Sequence, residues 1–390
     1  MIPQAYDSSS SLSSRRLGTS FILLALFAGL LGGALALPVL QVHPTAGQTL
    51  CHGILMTFFV VCPAALGGFG QWLLPEELGT SRSVLPGATL AGFGFLSAGI
   101  VLLPVMPLAA LLLWALGSLS VATDVITTCL EGRTVRFRGM SPLAWSLLAT
   151  ASGVVVIAPV LAAIVTRVFW TGSRTVTPET LVQMLHLPET ALMLTPALGL
   201  ITYLLPQKAG QSACWKVAPY VFAVTGVLGP LVWVNSFFGN VPAPVVHNLL
   251  LLSQIVPSVL LIGALCRDVW TQHRELDGTA FWALGSLVLF TAGWLSDVMP
   301  GHVIDHSAAA FGGVMAICGG FYAWLQAQLP NRVPGALIRG HALLTVVGAI
   351  CSVLPQFMVV GDAVMGLSLM TFGLLGLFLI RETGRNRVSA

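Results

Sequence analysis

The chain has 390 residues, of which only 8% are charged, with 17 Lys and Arg against 14 Asp and Glu. A soluble domain of average composition is about 25% charged, whereas 56% of this chain is hydrophobic and its mean hydropathy is +0.90. Lipid must therefore surround most of the chain, which excludes a cytosolic enzyme, a secreted disulfide scaffold and a nucleic-acid-binding protein. Seven scattered cysteines without a CxxC pair predict neither disulfides nor a zinc site.

Apolar stretches long enough to cross a hydrocarbon core of about 30 Å predict twelve membrane-spanning helices. In chain order they cover residues 19–40, 50–74, 87–103, 107–130, 142–166, 180–205, 217–238, 245–265, 279–296, 306–327, 340–360 and 364–380. The first stretch is too long for the core of a cleavable signal and is predicted to remain as a span. The predicted organisation is a polar tail at 1–18, one membrane domain at 19–381 and a second tail at 382–390.

The basic residues predict how this bundle is oriented. With the N-terminus inside, every Lys and Arg except Arg167 and Arg174 falls in an inner loop or tail. Lys and Arg favour the cytoplasmic side of a membrane. The sequence therefore predicts an all-α integral membrane protein with both termini in the cytoplasm, in a bacterial-type inner (plasma) membrane.

Ionisable residues inside the predicted spans are functional candidates, because charge is costly in hydrocarbon. They are His52, Asp124, His186, Glu189, His247, His306 and His341. His52 and His306 differ from the rest because both lie near the outer ends of their spans and both precede small residues. Two imidazoles that face each other across a helix bundle form a socket for a haem. The alternative at this point is a set of histidines that make hydrogen bonds at the membrane surface.

Several motifs stand in order along the chain: HGILMTFF at 52–59, GGFGQWLLP at 67–75, MSPLAWS at 140–146, LPE at 187–189 and GFYAW at 320–324. Together they resemble subunit I of the haem-copper oxidases, the cytochrome c and quinol oxidase superfamily. The resemblance covers nearly the whole chain and implies the twelve-helix bundle of that subunit. It also implies that His52 and His306 are the two axial ligands of a low-spin haem.

The same resemblance implies that the second metal centre has been lost. Ile304 stands in place of the ligand of the active-site haem, and Leu187, Asn235 and Ser236 stand in place of the copper ligands. Ala191 replaces the cross-linked tyrosine, and Met358–Gly361 replaces the arginine pair that binds haem propionates. Glu189 matches a carboxylate of the proton path. Asp297 lies near an acidic position of that family, but Ser296 replaces the neighbouring histidine, so no metal is predicted there.

These residues predict one low-spin haem, most consistent with b-type, with no copper and no second haem. Such a subunit would belong to a respiratory complex and would carry electrons between quinol or quinone and a cytochrome c or iron–sulfur protein on the outer face. The subunit itself would not reduce oxygen. His43 and Gln48 are candidates for a quinol site, with a simple polar outer loop as the alternative. Two further hypotheses are a structural subunit with a redox-silent haem and a transporter that relays protons through Asp124, His186 and Glu189.

Overall fold

The computed structural model describes residues 8–36, 46–171, 178–205, 212–238, 243–272, 276–298, 307–330 and 332–388. These residues form helices and connecting turns, and none of them lies in a β-strand. We number the helices α1 (Ser8–Ala36), α2 (46–77), α3 (Pro86–Leu102), α4 (Pro107–Gly132), α5 (Pro142–Thr171), α6 (Pro178–Leu204), α7 (213–238), α8 (Ala243–Gln272), α9 (Gly278–Val298), α10 (Ser307–Gln328), α11 (Gly335–Ser352) and α12 (Met358–Val388).

Ten helices within the described part of the chain are long and apolar enough to cross a membrane. Two shorter apolar helices, Pro86–Leu102 and Ala191–Leu204, lie among them. Large apolar side chains such as Leu252 and Leu374 remain exposed on the outer surface of the bundle, as expected where lipid replaces water. The prediction of an all-α, multi-pass membrane protein is therefore confirmed.

Several helices begin or end at residues other than the predicted ones. The predicted N-terminal tail at 1–18 is helical from Ser8, and α12 continues to Val388, well into the predicted C-terminal tail. The eleventh span was predicted to reach residue 360, but α11 ends at Ser352. The residue before a proline disfavours the α conformation, so Leu354 and Pro355 end the helix, and α12 begins at Met358 after a tight turn.

Helix α2 contains two wide turns that change which of its residues share a face. Leu55–Val61 and Pro63–Phe69 form i→i+5 turns rather than ordinary α turns. Pro63 lacks the N–H of an α-helical hydrogen bond, which favours such a bulge. In a straight α-helix, side chains four positions apart point in directions that differ by about 40° around the helix axis. In the wider turns each residue advances by a smaller angle. His52 and later residues at four-residue intervals therefore remain on one face of α2.

Asp124 in α4 is a fully buried carboxylate that holds three helices together. Its oxygens accept hydrogen bonds from Gln71 Nε2 of α2 at 2.8 Å, from Thr89 Oγ1 of α3 at 2.5 Å, and from the backbone N–H of Leu85 at 2.7 Å. Thr128 Oγ1 donates a fourth at 3.3 Å. A carboxylate at a helix N-terminus satisfies backbone N–H groups that have no partner within the helix. This arrangement gives Asp124 a structural role at the start of α3.

Two more carboxylates repeat this arrangement. Asp268, which is 2% exposed, accepts from the backbone N–H groups of Ala213 and Cys214, both at 2.9 Å, at the start of α7. Asp277 accepts from the N–H groups of Thr279 and Ala280, also at 2.9 Å, at the start of α9. The acidic residues at these helix ends therefore stabilise the fold. Few charged side chains are left to take part in chemistry.

Glycine allows α5 and α7 to cross in backbone contact. A Cβ atom added at Gly153 would lie 2.4 Å from the carbonyl oxygen of Gly226. We expect Gly153→Ala to lower the free energy of unfolding by about 1–3 kcal/mol, because the obstacle is backbone that cannot rotate away. Gly263→Ala in α8 is the matched control, since its added Cβ meets nothing within 4 Å. Thermal unfolding in detergent would compare the two, and equal midpoints would contradict this packing.

Candidate functional site

A deep cavity of about 230 Å³ lies between α1, α2, α10, α11 and α12. Its walls are mostly apolar, and most of the side chains that line them are spaced three or four residues apart along their helices. From α1 these are Ile22, Ala25, Leu26, Gly29, Leu30, Gly33 and Ala36; from α2, His52, Met56, Val60, Ala64 and Phe69; from α10, Phe311, Val314, Ile317, Cys318 and Phe321; from α11, Thr345 and Ser352; and from α12, Asp362, Met365, Ser368, Leu369 and Phe372. A concave apolar site with few polar groups is typical of cofactor binding.

His52 is the one histidine that lines this cavity in the described part of the chain, and its ring has a defined tautomer. Nδ1 lies 2.8 Å from the carbonyl oxygen of Gly32 in α1. A carbonyl oxygen only accepts, so Nδ1 carries the hydrogen and donates it. In the neutral form of the ring, Nε2 then has its lone pair available. A histidine that ligates a metal usually donates its other ring N–H to such an acceptor, which fixes the orientation of the ring.

His341 shows the contrasting arrangement of a structural histidine. Its Nδ1 lies 2.6 Å from the hydroxyl of Tyr322, and its Nε2 lies 2.9 Å from Ser368 Oγ and 3.1 Å from the Ser368 carbonyl. Because the carbonyl can only accept, Nε2 carries the hydrogen and Nδ1 accepts from tyrosine. Both ring nitrogens are therefore used. Thr345 Oγ1 joins Ser368 Oγ at 2.8 Å, so this polar cluster forms part of the cavity wall without offering a free ligand atom.

The two ends of the cavity differ in polarity. Ala36, Ser352 and Asp362 lie at the helix ends that the predicted orientation places outside, and we call this the outer end. The inner end is formed by the aromatic rings of Phe69, Phe321 and Phe372. An elongated ligand with a polar edge would therefore direct that edge outwards.

Several predicted site residues lie outside the described residues. His306 and Ile304 precede α10, which begins at Ser307, and His43 falls within 37–45. For Leu187 and Glu189 in α6 and for Ser236 in α7, the structure describes the backbone but not the side chains. The same is true of His186, His247 and Asp297. Gln48 is half-buried near the start of α2 and does not line the cavity.

Comparison with known proteins identifies the family. The family described as cytochrome C and quinol oxidase polypeptide I matches residues 16–373. The chain belongs to this family. Among relatives, cytochrome c oxidase subunit 1 of Cereibacter sphaeroides is 28% identical over 374 residues, covering 78% of this chain and 65% of that protein. The corresponding subunit of Thermostichus vulcanus is 24% identical over 410 residues, covering 87% and 74%, and that of Yarrowia lipolytica is 24% identical over 424 residues, covering 89% and 79%.

Membership of the oxidase family implies haem, and the residues of the cavity fit it. His52 supplies an imidazole with the correct free nitrogen, and the walls are apolar enough to exclude water from a macrocycle. Gly33 on α1 packs closely against α12, since a Cβ added there would lie 2.8 Å from Leu369. Helix α10, which follows His306 directly, runs along the cavity from Phe311 to Phe321. The chain is thus a multi-pass membrane protein of the haem-containing oxidase family.

Sequence reasoning missed the partner of His52 and the polar outer end of the cavity. The Gly32 carbonyl could not be predicted, because it depends on how α1 and α2 pack. Asp362 was placed in a loop before the predicted span at 364–380, whereas it lies in the second turn of α12. Its spacing with Met365, Leu369 and Phe372 was the available signal, since residues three and four apart share a helix face.

Proposed function

We propose that this chain is a membrane-embedded low-spin haem subunit of a respiratory complex, which transfers electrons and does not itself reduce oxygen. His52 and His306 would be the axial ligands of a single b-type haem in the cavity. The observation that carries the proposal is the His52 tautomer, because its Nδ1–H···O bond to Gly32 leaves Nε2 free at an apolar cavity. When bound between two imidazoles, the iron passes single electrons and offers no open position to oxygen.

The packing of α10 supports a single haem. The face of α10 that turns away from the cavity contacts α9 and α6 directly. A Cβ added at Gly312 would lie 3.1 Å from Phe290 of α9, and one added at Gly313 would lie 3.2 Å from Met193 of α6. Ser286 Oγ also donates to the Gly312 carbonyl at 2.6 Å. Close packing of α10 against α9 and against the side chain of Met193 leaves no space for a second macrocycle at these two glycines.

The replaced copper positions support the same proposal. Ala191 is 4% exposed and sits within the apolar core, while Asn235 is exposed at the bundle surface. Neither side chain holds copper as an imidazole does. Leu187, Ser236 and Ile304 are chemically unsuited for the same reason. Oxygen reduction at this subunit would therefore require ligands from another chain.

The proposal includes twelve spans with both termini in the cytoplasm of a bacterial-type inner membrane. The capped starts of α3, α7 and α9 all fall on the predicted inner side, where the basic residues also lie. The outer side would then meet a cytochrome c or an iron–sulfur protein, and quinol in the membrane would be the electron donor. Electron exchange at the outer face would suit a haem held by His52, which lies near the predicted outer end of α2.

Redox cycling tests this role. The complex should be isolated in mild detergent, and the haem absorbance followed by stopped flow after adding a short-chain quinol, and then an oxidised cytochrome c. The proposal predicts reduction and reoxidation of the haem at least as fast as turnover of the complex. A haem that stays in one oxidation state during turnover would support the alternative, a structural subunit of a larger complex with a redox-silent haem.

A quinol site at His43 and Gln48 is a further part of the proposal. Oxidation of quinol releases protons that an imidazole can accept, and His43 precedes the haem ligand by nine positions. We expect His43→Ala to slow reduction of the haem by quinol while leaving reduction by dithionite unchanged. Gln48→Ala should weaken quinol binding less. Unchanged quinol kinetics in both variants would remove this site from the proposal.

A further inference from the structure

Two short connections on the predicted inner side form a basic surface. Residues 78–85 join α2 to α3 and residues 133–141 join α4 to α5, and neither connection contains Asp or Glu. Together they carry four arginines, which we call the arginine cluster: Arg82, Arg133, Arg136 and Arg138. The side chains of Arg82, Arg136 and Arg138 are exposed, and their guanidinium groups form no hydrogen bond or ion pair with the described residues.

The acids at the adjoining helix ends do not neutralise the arginine cluster. Glu76 at the end of α2 forms its ion pair with Arg15 of α1. Glu77 and Glu131 form no ion pair with the described residues. The cluster therefore has an excess of positive charge that the described part of the chain leaves without a counter-ion.

The two connections are fixed to each other, so their arginines belong to one surface. The backbone N–H of Thr134 donates to the carbonyl oxygen of Leu78 at 2.9 Å, and Thr134 Oγ1 donates to the same oxygen at 3.2 Å. Close packing joins them at a second place, because a Cβ added at Gly132 would lie 2.9 Å from the side chain of Val84.

Within the second connection, one arginine stabilises the loop and two remain available. The carbonyl oxygen of Arg136 closes a tight turn by accepting from the N–H three residues later, at 2.8 Å. The Phe137 ring in this turn packs edge-on against Trp145 of α5, with the ring centroids 4.9 Å apart. The guanidinium of Arg133 lies over the other side of that anchor, 4.5 Å from the Phe137 ring centroid. Arg136 and Arg138 are thus presented on a turn that is already ordered.

Exposed hydrocarbon adjoins the arginine cluster on its membrane side. Val84, directly before α3, is 37% exposed, and Leu130, near the end of α4, is 50% exposed. Basic groups between membrane helices on the cytoplasmic side are a known arrangement for binding lipid head groups. An acidic soluble protein would have no use for the apolar side chains, whereas a phospholipid has both an anionic group and acyl chains.

We propose that the arginine cluster binds one anionic phospholipid of the inner leaflet. Arg136 and Arg138 hold the phosphate, since guanidinium groups match phosphate oxygens in geometry and charge, and Arg82 adds positive charge at the same surface. The acyl chains lie along Val84 and Leu130. The inference uses the proposed orientation of the bundle, and it goes beyond the electron-transfer role because it concerns a surface remote from His52.

Native mass spectrometry of the delipidated holoprotein tests this inference. The protein should be titrated in detergent with phosphatidylglycerol, which is anionic, or with phosphatidylcholine, which has no net charge. We expect the wild type to bind one phosphatidylglycerol well before it binds phosphatidylcholine. Arg136→Gln combined with Arg138→Gln should weaken binding of phosphatidylglycerol by at least about tenfold. Arg136→Lys combined with Arg138→Lys keeps both charges and should retain most of the binding.

A second pair of exposed inner arginines provides the matched control. Arg339→Gln combined with Arg381→Gln removes the same charge from α11 and α12, and it should leave binding of phosphatidylglycerol unchanged. An equal loss in this control would overturn the inference, because net charge alone would then govern binding. Equal affinity for the two lipids would overturn it as well, and so would displacement of the lipid by an equal concentration of inorganic phosphate. Absence of haem from the wild type would contradict the proposed function and leave the lipid titration valid.

Discussion

Replacing His52 with glycine is expected to abolish stable haem binding. Mutation of a residue that only hydrogen-bonds to a metal ligand lowers metal affinity by about 10–100-fold. Loss of the ligand itself should therefore lower the haem content of the purified protein at least tenfold. The side chain lines the cavity and reaches Gly32, but it contributes little to the core, because it is only half-buried. The chain should therefore still fold. The pyridine haemochrome assay and the Soret absorbance would report the haem content.

Imidazole in the buffer separates loss of a ligand from loss of the fold. Added at millimolar concentration, imidazole should enter the space left in His52→Gly and restore a low-spin spectrum. Cys318→Ala is the control, because it alters the same cavity without removing an imidazole. If His52→Gly kept its haem with unchanged spectrum, the axial assignment would be wrong. If Cys318→Ala lost haem equally, cavity shape rather than ligation would govern binding.

Replacing Asp124 with alanine should have the largest effect on stability. The change would leave Thr89 Oγ1 and the Leu85 N–H without their acceptor, and Gln71 Nε2 would keep only its 3.3 Å hydrogen bond to Thr89 Oγ1. Each buried donor left unpaired costs about 1–3 kcal/mol, so the total loss should be at least about 2 kcal/mol. The expected result is a much lower unfolding temperature and poor recovery from the membrane. Asp124→Asn keeps one carbonyl acceptor and should lie between the wild type and alanine.

Glu131→Ala is the matched control for this prediction. Glu131 lies on the same helix but is exposed, and surface substitutions away from special features usually change stability by less than about 0.5 kcal/mol. The experiment also tests the proton-relay hypothesis. A relay would predict that Asp124→Asn folds normally and loses a transport or redox activity. Full stability in Asp124→Ala would contradict the structural role derived from its four hydrogen bonds.

The architecture could be predicted from the sequence because the membrane simplifies the pattern. A stretch of about 20 apolar residues is rarely anything but a membrane span, and the short polar loops carry the arginines that favour one side. The resemblance to haem-copper oxidases was confirmed by the family match over residues 16–373. His52 was predicted as a haem ligand, and the structure places it on the wall of the cavity. That it ligates iron stays a prediction.

The remaining features depend on contacts that no local pattern encodes. The role of Asp124 as a cap on α3 requires three helices to meet, and intramembrane acids are otherwise interpreted as functional. The tautomers of His52 and His341 depend on Gly32 and Tyr322, which belong to other helices. Asp362 was overlooked because a charged residue at the edge of an apolar stretch was assigned to the loop. Helix ends are the least certain part of such predictions.

We propose that this oxidase-family chain holds one haem with both axial positions filled and has no oxygen-reducing centre. The most direct test is to measure haem, iron and copper per chain in the purified protein and to record the spectrum of the reduced form before and after adding carbon monoxide. We expect one haem iron per chain, no copper in a fixed ratio and no spectral change with carbon monoxide. A second haem, one copper per chain, or a reduced haem that binds carbon monoxide would contradict this proposal.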